Sequence, residues 1–151
     1  MENIPELNDS DLMKKVEIAA ERTMANEIDI LQNGKVERSF TSHFAHQVEM
    51  IISIDGIRAD PFCNKHLGAA KYLDGKLIEL DIAVHKRHVD ERNLIAIELE
   101  TNNYPKRDDL WKVEKLTEKL YGYGYQLGLY IVFGIGQKAG TLISTEWFKR
   151  R

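Results

Sequence analysis

At 151 residues, with a hydrophobic fraction of 43% and a charged fraction of 30%, the chain is long enough for one domain with a real core and has the make-up of an ordinary globular protein. Its formal net charge of −3 speaks against a general polyanion binder, which is usually strongly basic, but does not exclude a domain whose acidic site subtracts from the count. No apolar run approaches the roughly 18 residues of a membrane span, Met1 to Lys15 holds no signal-peptide core, and the single Cys63 forms no internal disulfide, so a cytoplasmic protein with no membrane partner is expected.

Residues from Ser10 to about Gln32 read as a helix. Asp9 or Ser10 can cap it, Leu12, Val16, Ala19 and Ala20 fall at helical spacing, and Asn33-Gly34 stops it. A second helix is predicted from about Val36 to Ile52, with Phe40, Phe44, Val48, Ile51 and Ile52 as its stripe and Asp55-Gly56 as the turn that ends it. A strand follows near Arg58 to Cys63, then a loop, then a turn at Asp74-Gly75. Two strands come next, Leu77 to Val84 and Leu94 to Glu100, joined by the charged stretch His85 to Asn93. A polar loop from Thr101 to Arg107 leads to a helix starting at Asp108 or Asp109, with Leu110, Val113, Leu116, Thr117 and Leu120 on one side and Gly122 and Gly124 closing it. Leu127 to Phe133 is a mostly apolar run that reads as a buried central strand, and Thr141 to Phe148 is either a last strand or a short helix. The order implies an α/β or α+β layer fold around a mixed sheet, a single domain over 1–151 in which 1–35 is a helical extension. A first helix exposed in this way is compatible with a homodimer.

The two strands before the polar loop carry the chemistry. Residues two apart on a strand share a face, so Glu79 and Asp81 line up on the first, and Glu98 and Glu100 on the second, with Ile95, Ile97 and Leu99 opposite. Consecutive strands usually pair, which would bring four carboxylates together. Like charges that close need compensation, and a divalent cation held by oxygen ligands supplies it. The same alternation also fits an edge strand with one wet face.

The layout resembles the PD-(D/E)XK nuclease superfamily, in which an acidic residue on one strand and a carboxylate–any–lysine triplet on the next hold magnesium. The matching segments are Leu80 to His85 and Ile97 to Glu100, with further similarity at Glu37-Arg38-Ser39, Asp109 to Lys112 and Gly128 to Phe133, so that the resemblance runs from about Glu37 to Phe133. It implies a restriction-endonuclease-like core and a Mg²⁺-dependent nuclease, with Mn²⁺ as a substitute, acting on nucleic acid, DNA ahead of RNA. It further implies that Asp81, Glu98 and the Leu99 carbonyl bind the metal, with Glu100 and Glu37 helping through water. Leu80 stands where the signature has proline, and Glu100 stands where it has lysine. Some members of the superfamily work with glutamate there, and in others a lysine comes from a nearby helix. Helical geometry, at about 100° per residue, selects the candidate here: Lys112 falls at the edge of the apolar stripe and Lys115 points away from it. Lys112 would then orient the attacking water or balance charge, and Asp109 points inward on the same side. The rival expectation is a binding or assembly module that keeps the fold without turnover.

Other patterns are less specific. His43-x-x-His46 with Cys63-x-x-His66 offers four zinc ligands at unremarkable spacing, and Gly134 to Gly140 lacks the Lys-Ser/Thr ending of a phosphate loop and reads as a hairpin turn. Tyr121, Tyr123 and Tyr125 fit base stacking or core packing equally. Lys86-Arg87-His88, Lys106-Arg107 and Lys149-Arg150-Arg151 read as solvated surface.

Overall fold

A computed structural model describes residues 8–34, 37–63, 65–66, 69–70, 72–73, 75–86, 93–118 and 123–150. Helix α1 (Asp9–Asn26) is capped by Asn8, whose Oδ1 accepts the Ser10 N–H at 2.7 Å, and not by Asp9 or Ser10. An amide side chain on extended backbone is the right length for that bond, while Asp9 instead accepts from Gln126 Nε2 at 2.6 Å. The helix expected to continue to Gln32 breaks at Glu27 and resumes as α2 (Ile28–Asn33). Glu27 leaves helical geometry, and its carboxylate lies 3.5 Å from His43. Gly34, at φ 68, ends α2 by donating its N–H to the Ile30 carbonyl, the left-handed stop that glycine adopts without strain.

Helix α3 (Glu37–Ile52) buries Phe40, Phe44, Val48 and Ile52, and half-buries Ile51. Phe40 and Phe44 meet Phe133 edge-on, with ring centroids 4.6 and 5.4 Å apart. Leu12, Val16, Ala19 and Ala20 of α1 join the same core. The first helix is therefore not an exposed extension, and the apolar stripe that would have served a second copy is used inside the chain. Each of the larger side chains here, such as Leu12, Val16, Phe40, Phe44, Val48 and Ile52, contributes about 1.5–3 kcal/mol by leaving water.

Strand β1 (Arg58–Cys63) matches its expected bounds. Where a loop was expected, β2 (Lys65–His66) pairs with β3 (Ala69–Ala70), and β4 (Tyr72–Leu73) with β5 (Lys76–Leu77). Gly75 sits in the turn of the second pair, and Asp74 lies outside the described residues. The main sheet also contains β6 (Leu80–His85), β7 (Asn93–Thr101), β8 (Leu127–Phe133) and β9 (Leu142–Lys149), in the order β1-β6-β7-β8-β9. All neighbours are antiparallel except β7 and β8. The chain is thus a mixed α+β fold around a five-stranded mixed sheet, and its tail is a strand. The Gly134 to Gly140 segment joins β8 to β9 through a 3-10 turn at Gly136–Lys138, as a hairpin connection. Among the described residues no helix is long and apolar enough to cross a membrane.

A parallel pair needs a crossover, and here it contains α4 (Leu110–Leu116). This helix is shorter than its stripe suggests: Thr117 caps it, with its hydroxyl on the Glu114 carbonyl at 2.6 Å, and Tyr125 N–H takes the Leu116 carbonyl at 3.0 Å. Leu120 and Gly122 lie outside the described residues. α4 lies flush on β8 because Gly128 has no side chain. A Cβ there would stand 2.6 Å from Val113 Cγ1 and 3.0 Å from the Val113 carbonyl. Gly128→Ala is expected to lift α4 and lower unfolding stability by about 1–3 kcal/mol, the range for overpacking a close contact. Urea denaturation checks this, and an unchanged midpoint would contradict the packing.

Candidate active site

The β6–β7 ladder ends at the pair Ile82↔Ile97. Beyond it, the Asp81 side chain does what a strand carbonyl would have done: Oδ2 accepts the Leu99 N–H at 2.9 Å. A carboxylate is thereby fixed against the next strand, beside Glu98. Glu98 is 1% exposed on a central strand, so the edge-strand alternative fails for it. A carboxyl buried to that degree requires a partner, and α4 brings one. Lys112 Nζ stands 2.9 Å from Glu98 Oε1 and 3.4 Å from Asp109 Oδ1, and donates to the Glu79 carbonyl at 3.1 Å. The Glu98 contact is an ion pair off the hydrogen-bonding direction, and Oε1 accepts no hydrogen bond. Lys115, one helical step away from this face, lies 3.8 Å from Glu118 instead.

Burial raises the Glu98 pKa well above the carboxylate range, and Asp81 raises it further through a hydrogen bond and its charge; the opposing pull of Lys112 is smaller. Burial pulls the Lys112 pKa down, but Glu98 and then Asp109 and Asp81 outweigh it, and the net shift is upward. Lys112 is accordingly a fixed ammonium at neutral pH, and Glu98 holds a proton more tightly than an ordinary carboxyl does.

Glu100 is held differently. Its Oε2 accepts from the Tyr130 hydroxyl at 2.8 Å and from the Lys106 N–H at 3.0 Å. The same hydroxyl accepts the Arg107 N–H at 3.2 Å, and burial, then Glu100, push the phenol pKa up. Arg107 has φ 63, a strained backbone for a non-glycine residue, and its guanidinium bonds Glu146 at 2.7 and 3.1 Å. Tyr130 went unnoticed in the sequence. Its signal is that it is the only polar-tipped residue in an otherwise apolar strand, and in register it sits beside Glu98. Asp81, Leu99, Glu100, Lys106, Asp108 and Asp109 line an open cavity of about 310 Å³.

The expected convergence of four strand carboxylates is corrected at Glu79. That residue precedes β6, is exposed, and lies 3.9 Å from Arg38; it offers the site only its carbonyl. Asp109 takes the fourth place. Ile78 and Leu80 pack with Ala83 and Ala96 in a smaller cluster, apart from the one that holds Ile82. Glu37 begins α3, but its side chain lies outside those described, as do Arg87, His88, Arg151, Tyr121 and the His66 side chain among the other patterns. Tyr125 is fully buried and Tyr123, half-buried, packs against the same cluster, so both contribute to the core. His85, not singled out before, bonds Asp60 at 2.8 Å on the far end of β6. Phe62, at φ 56 and between the pairs Pro61↔Ile82 and Cys63↔Leu80, carries the Arg38 guanidinium 3.6 Å above its ring.

The donors at this site are all oxygens: Asp81, Glu98 and the backbone at Leu99, with Glu98 Oε1 buried and lacking a hydrogen bond. Among the described residues no group of three or more His, Cys, Asp or Glu side chains could hold a metal ion by itself. A zinc or calcium cage built from three or more such side chains is therefore not assembled among the described residues. Comparison with protein-family models, with curated proteins and with solved structures finds no match to this chain.

Proposed function

We propose that the chain is a Mg²⁺-dependent nuclease of the PD-(D/E)XK kind that hydrolyses phosphodiester bonds in nucleic acid, DNA ahead of RNA, with Mn²⁺ as a substitute metal. One observation carries it: a lysine from α4 stands 2.9 Å from a buried strand glutamate beside a second fixed carboxylate. The strand triplet ends in Glu100, so Lys112 provides from the helix the cation the strand lacks.

In this reading Asp81, Glu98 and the Leu99 carbonyl hold the ion. A Mg²⁺ ion held there would supply Lewis-acid chemistry, polarising the phosphate and making water more acidic. Lys112 keeps its charge beside Glu98 and stabilises the negative charge that builds on the phosphate. Glu100, pinned through Oε2, keeps its other oxygen to orient the water and take its proton. The water oxygen bonds to phosphorus, the P–O bond to the leaving sugar oxygen breaks, and that oxygen is protonated from solvent.

A second reading, an inactive binding module on the same fold, draws support from the neutralisation of Glu98 by Lys112 and from the absence of a strand lysine. Cleavage assays on single- and double-stranded DNA and RNA, with Mg²⁺, Mn²⁺ or chelator, separate the two. Metal-dependent cleavage is expected in wild type and its loss in Asp81→Asn, whose amide oxygen can still accept the Leu99 N–H and keep the fold. No cleavage of any substrate, with a metal-induced rise in melting temperature retained, would establish the binding module.

A further inference from the structure

Tyr130 sits in a row of residues that crosses the sheet. In register it faces Glu98 of β7 on one side and Glu146 of β9 on the other, and partners in such a row share a face. The Tyr130 side chain is fully buried, so its hydroxyl must find its partners inside the molecule. It donates to Glu100 Oε2 at 2.8 Å and accepts the Arg107 N–H at 3.2 Å. The Lys106 N–H reaches the same Glu100 oxygen at 3.0 Å. Two donors on one oxygen stop the carboxylate from turning, which leaves Oε1 to the cavity that Glu100 lines.

The backbone of Lys106 and Arg107 would not hold this shape unaided. Arg107 is at φ 63, and a non-glycine residue stays there only where its surroundings over-determine it. Glu146 supplies the constraint: the Arg107 guanidinium donates to both of its carboxylate oxygens, at 2.7 and 3.1 Å. An exposed ion pair adds little to the stability of a whole fold, but two parallel bonds from one guanidinium fix its orientation. The start of the segment is tied to β8, where the Asn102 N–H bonds the Phe133 carbonyl at 3.1 Å. One line of contacts thus runs from Glu146, on a strand at the edge of the sheet, through Arg107 and Tyr130 to Glu100.

We propose that Tyr130 is the positioning residue for Glu100, and that the Arg107–Glu146 pair holds in place the backbone that completes the cradle. The proposal rests on the nuclease reading, which gives Glu100 a water to orient. Neither Tyr130 nor Glu146 touches the reacting atoms; each acts through the Glu100 carboxylate. Misplacing a reacting group by about 1 Å costs on the order of 100-fold in rate, so a contact of modest strength has a large effect on turnover here.

The test is a mutant cycle read by single-turnover cleavage of an oligonucleotide at saturating Mg²⁺, with KM measured alongside and melting curves to confirm that each variant is folded at the assay temperature. Tyr130→Phe keeps the buried ring and removes only the hydroxyl. It should slow the cleavage step by about 10- to 100-fold and leave KM close to wild type, because the lost contact orients a group and does not hold substrate. Glu146→Ala should slow cleavage less, and should add little when combined with Tyr130→Phe. In a Glu100→Gln background, already slow, Tyr130→Phe should cost nothing further, since the carboxylate it positions is gone; a merely structural role would slow that protein as well. Cleavage by Tyr130→Phe at the wild-type rate, a loss confined to KM, or an equal loss with and without Glu100 overturns the proposal and leaves the nuclease reading standing. No cleavage by wild type removes that reading and this role together.

Discussion

Lys112→Ala is expected to lower phosphodiester cleavage by about 100-fold or more, the scale on which loss of one fixed charge partner of a transition state is felt. The substitution removes the ammonium that stands 2.9 Å from Glu98 and leaves two carboxyls, Asp81 and Glu98, facing each other without it. Stability should fall too, since removing one member of a buried ion pair strands the other. Single-turnover rates on folded protein, with melting curves in parallel, separate the two effects. Lys115→Ala is the matched control. Its ammonium is paired to Glu118 at the surface, so its removal should leave both rate and melting temperature close to wild type. Comparable losses at both positions would sink the role given to Lys112.

Mg²⁺ is expected to raise the melting temperature, and to raise it more as pH increases. Burial and Asp81 make folded Glu98 hold its proton more tightly than it does in the unfolded chain. Above the unfolded value of about 4.3, the unfolded chain therefore gives up this proton first. More protons are then bound to the folded state, so stability in chelator falls with rising pH until Glu98 ionises in place. A divalent cation replaces the proton and removes that decline. At 100 times its dissociation constant it would add about 2.7 kcal/mol. Glu98→Gln should flatten the pH dependence in chelator and abolish the response to Mg²⁺. Asp81→Asn should lose most of that response while staying folded. Thermal melts from pH 5 to 8, with chelator or with Mg²⁺, provide the check; a wild type indifferent to tens of millimolar Mg²⁺ would remove the metal site.

Much of this molecule follows from local rules. The two-residue period of a strand puts Glu98 and Glu100 on one side whatever the strand pairs with, and the helical period turns Lys112, not Lys115, towards the sheet. Gly34 and the Asp55-Gly56 turn break the chain where glycine relieves backbone strain, so α2 and α3 end near the expected positions. Tertiary structure decided everything that depends on register and on what covers what. Glu79 was expected to join Asp81, yet the strand starts at Leu80, three residues later than expected, and the Glu79 carboxylate turns to Arg38. Glu98 could have faced water; it is buried because β8 and β9 extend the sheet beyond β7 and α4 closes over that face. Tyr130 meets Glu100, and Asp81 takes the Leu99 N–H, because of where one ladder stops and another runs parallel. Alternation along a strand is set by its own backbone, but the distance between side chains on different strands is set by pairing, which sums contacts over the whole sheet and leaves no mark in any short stretch of sequence.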